Sequence, residues 1–444
     1  MPEAALIQTP AVEGAPRLSP AAQQLQARLA ATPRPRARAT DAARTDALDR
    51  LSAQGLPGPR HEYWRYTDPA PFNTANPDPV PLDAVTGDPT LFAGVDKLRL
   101  VFVDGRFDAA ASDELALAGV EIAPLSQADA EPDHWVGDAY GALEKPGQSP
   151  VARPFAALNT AIATDGAVIR VTGQAAKPVQ ILYRRSDPAA DVTIHHVLRL
   201  EAGADLTLLE NGLVGARGNI VIEADLAAGA KLHHVAAHRA GVPRVSNIHL
   251  FGRVAEGASL KSFALSVDGR HLRTESVIEL LGDDAVAHVA CAMLGDGAAV
   301  HQDDTVFITH TGLRGESRQV FKKVLKNGAT GVFQGKILVR PGAQKTDGYQ
   351  ISQALLLDEN SQFLAKPELE IYADDVKCSH GSTTGALDET ALFYLRSRGV
   401  PRERAVVLLV LSFLADALEE VEDEALRAEI SDRLEEWLTA RARD

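Results

Sequence analysis

The heptapeptide Leu200-Glu201-Ala202-Gly203-Ala204-Asp205-Leu206 decides how this chain is read, because it recurs. It returns as Leu226-Ala227-Ala228-Gly229-Ala230-Lys231-Leu232, again as Val254-Ala255-Glu256-Gly257-Ala258-Ser259-Leu260, and in weaker form from Leu280. The copies begin at 200, 226, 254 and 280, so they lie 26, 28 and 26 residues apart. A period in this range marks stacked units, each burying its apolar face only against its neighbour. Every copy places an apolar residue, then a glycine where a sharp turn needs positive φ, then a small residue leading into the next β-rich run. Two or three short strands fit into 26 residues, and a crossover helix does not. Propeller blades need roughly 40 residues or more, so the reading is a parallel β-helix, right-handed by the usual chirality of parallel connections. Later turns at Asn327-Gly328-Ala329 and Asp358-Glu359-Asn360 keep the style but lose the period, which predicts intervening loops.

The expected fold is therefore mainly β: a parallel β-helix core over 151–380, with an N-terminal region over 1–150 and a C-terminal helical domain over 381–444. The first forty residues, rich in Ala, Pro and Arg, read as a flexible tail. A helix follows from Asp41 through Ala47, Leu48 and Leu51, stopped by Gly55-Leu56-Pro57-Gly58. The aromatic segment His61-Glu62-Tyr63-Trp64-Arg65-Tyr66-Thr67 reads as a packing anchor. Beyond the core, Asp388 is a good N-cap, Gly399 sits where a C′ glycine belongs and Pro401 opens the next helix. That helix is apolar on nearly every side from Val406 to Leu414 and must be covered, either by other helices or by the end of the β-helix. A last helix carries Leu426, Ile430, Leu434, Trp437 and Leu438 on one stripe, which can supply the cover.

Composition excludes several classes of function. The 444 residues include 45 Lys plus Arg against 60 Asp plus Glu, a formal net charge of −15, the wrong sign for a nucleic-acid binder or an anionic membrane surface. The longest apolar run, 405–411, is far short of the ~18–20 residues that span a bilayer. Two cysteines, Cys291 and Cys378, build no disulfide framework, and with no export signal in view the expected compartment is the cytoplasm.

Few stretches carry chemistry. Gly331-Val332-Phe333-Gln334-Gly335-Lys336 looks like a phosphate loop, but it is one residue short and Ile337 stands where Ser or Thr should hold magnesium, so no nucleotide site is expected. The pairs His195-His196 and His233-His234 fall on successive rungs, and each can turn only one ring inward; surface or satisfied histidines are the simpler reading. The same holds for the cluster of His301, Asp303, Asp304 and His310. The strongest local signal is Asp374-Asp375-Val376-Lys377-Cys378-Ser379-His380-Gly381. Cys378 and His380, two apart on an extended segment, share a face, and thiolate with imidazole suits iron, zinc or copper. Two ligands do not close a site of four, so the others would come from elsewhere in the chain or from a second subunit.

At these residues the chain resembles a known family. Pro367-Glu368-Leu369-Glu370-Ile371-Tyr372-Ala373 through Gly381, then Gly385-Ala386-Leu387-Asp388 and Leu392 to Gly399, resemble the SufB/SufD family of the SUF iron–sulfur cluster assembly system. Gly342 to Asp347, Leu355-Leu356-Leu357 and Glu62 to Thr67 carry the resemblance upstream. It implies the same three-part architecture and a non-catalytic scaffold that pairs with a SufB-like protein, while its C-terminal helices dock a SufC-like ATPase. It also implies an iron–sulfur cluster held transiently at the interface with the SufB-like partner, with His380 beside it and Cys378 a thiolate candidate only if its pKa is lowered. The extra cysteines expected of SufB are absent, which places the likeness on the SufD-like branch; a homodimer is admitted when the chain is alone. The alternative from another class is a β-helix enzyme acting on a polysaccharide, for which the charge of −15 is a poor match to a polyanionic substrate.

Overall fold

The computed structural model describes residues 19–32, 34–82, 91–239, 244–267 and 269–441. Five short strands, β1 (Leu98–Val103), β2 (Arg106–Phe107), β3 (Val120–Pro124), β4 (Ala167–Val171) and β5 (Val179–Arg184), start two sheets. Longer strands then alternate between them: β6 (Asp191–Leu200), β7 (Asp205–Gly212), β8 (Arg217–Leu226), β9 (Lys231–Arg239), β10 (Val245–Val254), β11 (Ser259–Val267) and β12 (His271–Leu280). The series continues through β13 (Val286–Asp296), β14 (His301–His310), β15 (Glu316–Lys326), β16 (Thr330–Val339), β17 (Asp347–Leu356), β18 (Gln362–Ile371) and β19 (Lys377–Gly385). Odd strands from β5 to β19 form one sheet (sheet A) and even strands from β4 to β18 the other (sheet B), all parallel within a sheet. The result is a β-solenoid of about seven turns, two long strands per turn. Each sheet begins in an antiparallel element, β2 in sheet A and β3 in sheet B, and each ends in a strand with one neighbour only, β19 and β18.

Register explains both the repeat and its fading. Leu200, Leu226, Val254, Leu280, His310, Val339 and Ile371 are stacked partners down sheet B. The turn glycines Gly203, Gly229 and Gly257 all have positive φ, between 61° and 68°, and the next three turns hold the same conformation at Asp284, Arg314 and Lys345. Non-glycine residues in this region are uncommon, so the glycine signature vanishes while the geometry persists. Ion pairs along the column help to hold it: Arg314 with Asp284 at 2.7 Å and Lys345 with Asp375 at 3.3 Å. No loop interrupts the late rungs, contrary to the expectation at Asn327 and Asp358; the ladders run unbroken and only the turns lengthen.

Alternate residues of each strand fill one elongated core between the sheets, among them Ile194, Leu198, Leu206, Leu208, Ile220, Ile222, Val306, Phe321 and Phe333. Each such side chain contributes about 1.5–3 kcal/mol through burial. The outer faces are covered too. Helices α1 (Pro20–Ala31) and α2 (Asp41–Gln54) pack with Trp64, Phe72 and α6 (Pro154–Ile162) against sheet B; the short helices α3 (Ala70–Asn73), α4 (Leu125–Ala128) and α5 (Val136–Ala139) lie between them in sequence. The expected tail lies partly outside the described residues, but 20–31 is a packed helix with Leu25 and Arg28 buried. Trp64 meets Phe72 and Phe155 edge-on at 5.6 and 5.4 Å, and Arg273 lies over its ring at 4.4 Å, so the aromatic segment is the anchor its composition suggested.

At the other end, Asp388 caps α7 (Glu389–Ser397) by accepting from the amides of Thr390 and Ala391. Helices α8 (Arg402–Leu418) and α9 (Glu424–Arg441) form a hairpin. The apolar face of α8 is covered by the stripe of α9 and by the flank of sheet A, through Val235, Phe263, Leu265 and Val324, rather than by the solenoid's end. Asp416, Glu420 and Glu422 of the hairpin reach Lys322, His288 and Lys261 of the sheet at 2.6, 2.7 and 2.5 Å. No helix among the described residues is long and apolar enough to cross a membrane.

Candidate functional site

The histidine pairs are buried parts of the solenoid. His196 and His234 face the interior; His195 faces out beneath the ring of Tyr140 at 4.2 Å, and His233 faces the C-terminal hairpin. Inside, the Ala167 amide donates to His196 Nδ1, so Nε2 carries the proton toward Tyr183 Oη at 2.8 Å. Glu210, buried near Tyr183, bonds His234 Nε2 through Oε2 at 3.1 Å. Burial pulls the imidazoles of His196, His238 and His310 down to about 4. Once unfolded they titrate near their ordinary value of about 6.5. Between those values the unfolded chain binds more protons, so stability is lost as pH falls, by up to about 1.4 kcal/mol per pH unit for each ring. Urea midpoints at pH 7.5 and 5.5 test this: the lower pH is expected to give the lower midpoint, and equal midpoints would contradict it.

The cluster His301, Asp303, Asp304 and His310 is not brought together. His301 and Asp303 face outward to Thr67, at 2.9 and 2.6 Å from its hydroxyl, while Asp304 and His310 point inward and bond Lys323 and Ser317. Residues 331–336 are the middle of β16, their backbone committed to ladders on both sides, and Lys336 pairs with Glu370 at 2.7 Å; the stretch is not a phosphate loop.

Cys378 and His380 sit on β19, the last strand of the solenoid, in register with Gly348 and Gln350 of β17. Both continue the inward-facing column, about 6.6 Å apart along the strand. Cys378 is half-buried against Ile337 and Val339, and burial pushes its thiol up, away from the thiolate needed of a ligand. His380 is exposed, because no further rung covers it. Among the described residues no group of three or more His, Cys, Asp or Glu side chains could hold a metal ion, so this edge offers at most two donors of a larger set. The edge of sheet B differs from that of sheet A. Pro367 removes a backbone donor from the middle of β18, and the N-terminal segment ties that strand down through Tyr63 to Glu368 at 2.8 Å and Glu62 to Lys366 at 2.6 Å.

Residues 183–413 match the family described as SUF system FeS cluster assembly, SufBD core domain. The chain belongs to the SufBD family. It is 30% identical over 416 residues to the iron–sulfur cluster assembly protein SufD of Escherichia coli (strain K12), covering 89% of this chain and 92% of that protein. A SufBD family iron–sulfur cluster assembly protein of Synechocystis is 27% identical over 402 residues, 85% of this chain and 86% of the relative. SufD of Bacillus subtilis (strain 168) is 28% identical over 283 residues, 62% of this chain and 64% of that protein. The chain is thus a SufD-like component of the SUF system, in a family whose members are generally non-catalytic scaffolds. The SufBD match spans the solenoid from β5 into α8, so it includes both candidate residues and the open edge that carries them.

Sequence reasoning missed what lies behind them. Gln319 and Gln350 are fully buried polar residues in the column that ends at His380, and nothing in their local sequence sets them apart from outward-facing glutamines.

Proposed function

We propose that this chain is the SufD-like scaffold subunit of a SUF complex, joined to a SufB-like partner through the uncovered last rung and presenting His380 to an iron–sulfur cluster assembled there. The observation that carries the reading is the exposure of His380 on β19, a strand with one free edge. A partner strand can add to that edge, whereas Pro367 and the N-terminal tether make β18 the poorer template. The cluster is cargo, and its remaining ligands come from the partner, consistent with the two donors available here. Cys378, with its thiol held protonated, is the weaker of the two. A SufC-like ATPase docks on the C-terminal helices, where Phe393 and Tyr394 are 73% and 52% exposed on α7, and supplies the nucleotide chemistry. The complex works in the cytoplasm. The polysaccharide-enzyme reading finds no support, because the long outer faces where a groove would run are covered by the N-terminal region and the α8–α9 hairpin.

The test is co-purification of tagged chain from its own cells under anaerobic conditions, with partner identification and iron and labile sulfide measured in wild type and His380→Ala. A SufB-like protein and an ATPase are expected, with at least a several-fold loss of cluster in the variant. Full cluster content in His380→Ala would remove the ring from the mechanism.

A further inference from the structure

Three side chains stand in one file on the interior face of sheet A: Gln319 on β15, Gln350 on β17 and His380 on β19, partners in register. Gln350 donates from Nε2 to Gln319 Oε1 at 2.8 Å, and both glutamines are fully buried. The opposite sheet makes room for this amide: a Cβ on Gly335 would lie 1.6 Å from Gln350 Nε2. The ladder is open at both ends: behind, the Nε2 of Gln319 has no hydrogen-bond partner among the described residues. With the Nε2 of Gln350 committed to the rung behind, its Oε1 is left as a buried acceptor with no partner among the described residues. In a stacked glutamine ladder the free oxygen faces the next rung, and here the next rung carries His380, about 4.8 Å away in strand spacing. A buried acceptor without a donor costs about 1–3 kcal/mol, and a donor brought to this end would relieve that cost.

We propose that Gln350 is a positioning residue for His380. Once a partner covers the open end, Gln350 Oε1 accepts the proton of one ring nitrogen, which fixes the neutral tautomer and leaves the other nitrogen's lone pair aimed at the interface. Histidines that ligate metals depend on such a partner for ring orientation and basicity. Gln319 serves by accepting from Gln350 Nε2, which turns the oxygen of Gln350 away from the rung behind. The inference rests on the reading that His380 meets the cluster.

The test uses the anaerobically purified complex with 15N-histidine incorporated in this chain. Cluster iron is titrated with a ferrous chelator, and the reduced cluster is examined by pulsed EPR for nitrogen coupling. Gln350→Leu keeps volume and removes the acceptor; chelator removal of iron is expected to be about 10- to 100-fold faster, with the nitrogen coupling changed. Gln350→Glu keeps an acceptor oxygen, and the Gln319 amide can turn to donate to it, so wild-type lability and coupling should return. The double variant Gln319→Leu/Gln350→Leu leaves no orphaned amide in the core and controls for folding; it should be as labile as Gln350→Leu at unchanged thermal stability. If His380→Ala abolishes the cluster and the coupling while Gln350→Leu matches wild type, the inference is overturned and the site reading stands. If His380→Ala changes neither, the site reading itself fails. Failure of Gln350→Glu to restore the coupling would reduce Gln350 to a packing residue and also overturn the inference.

Discussion

Replacing Lys323 with Met is expected to destabilise the chain by about 3–5 kcal/mol, read as a lower urea midpoint by circular dichroism. Lys323 and Asp304 form an ion pair inside the solenoid, with both side chains out of contact with water. Asp304 also accepts from Thr274 and Gln302, which helps the carboxylate but does not neutralise it. Removing the ammonium leaves a charge in an apolar core beside Val306 and Phe321, and that penalty exceeds the net worth of the pair. The double variant Asp304→Leu/Lys323→Met should recover most of the loss, since an apolar pair of similar volume has no charge to solvate. A single variant within about 0.5 kcal/mol of wild type would overturn this account of the buried pair.

Trp64→Ala is expected to cost about 3–5 kcal/mol and to loosen the N-terminal segment from sheet B. The indole is the centre of a cluster with Phe72 and Phe155, and it carries the Arg273 guanidinium on its face. Arg273 is itself fully buried, paired with Asp303 and with Glu275 at 2.9 Å, so truncating the ring strips one side of a buried cation. Tyr63, the preceding residue, holds the open-end strand β18 through Glu368. Limited proteolysis should therefore cut Trp64→Ala before residue 70 much sooner than wild type, while Trp64→Phe should protect nearly as well. Unchanged cleavage and melting would show that the segment is held elsewhere.

What the sequence disclosed follows from which residues could say only one thing. Gly203, Gly229 and Gly257 announce a turn of positive φ, and their spacing announces rungs. Asp284, Arg314 and Lys345 adopt the same turn without announcing it, so the repeat fades where the fold does not. Caps such as Asp388 were legible because an N-cap is local chemistry. Cys378 and His380 were legible as a pair on one face, because alternation along a strand is local too. The exposure of one and the half-burial of the other was not, since it depends on β19 being last. Alternation also divides Asp303 from Asp304, but what each meets, the N-terminal segment for one and an interior lysine for the other, was not legible, since both partners are distant in sequence.

The solenoid's two ends differ in a way that polymer chemistry describes well. At one end each sheet stops in a short antiparallel strand, two residues in β2 and five in β3; at the other, β18 and β19 are ten and nine residues long and keep an unused edge. Such a molecule resembles a monomer with one strong reactive end and one weak one. A union through a long edge would leave only the short starting strands at the outer end of this chain. A long exposed ladder is ordinarily an invitation to fibres. Here the starting end offers ladders of only two and five residues, a poor template for continuing the stack.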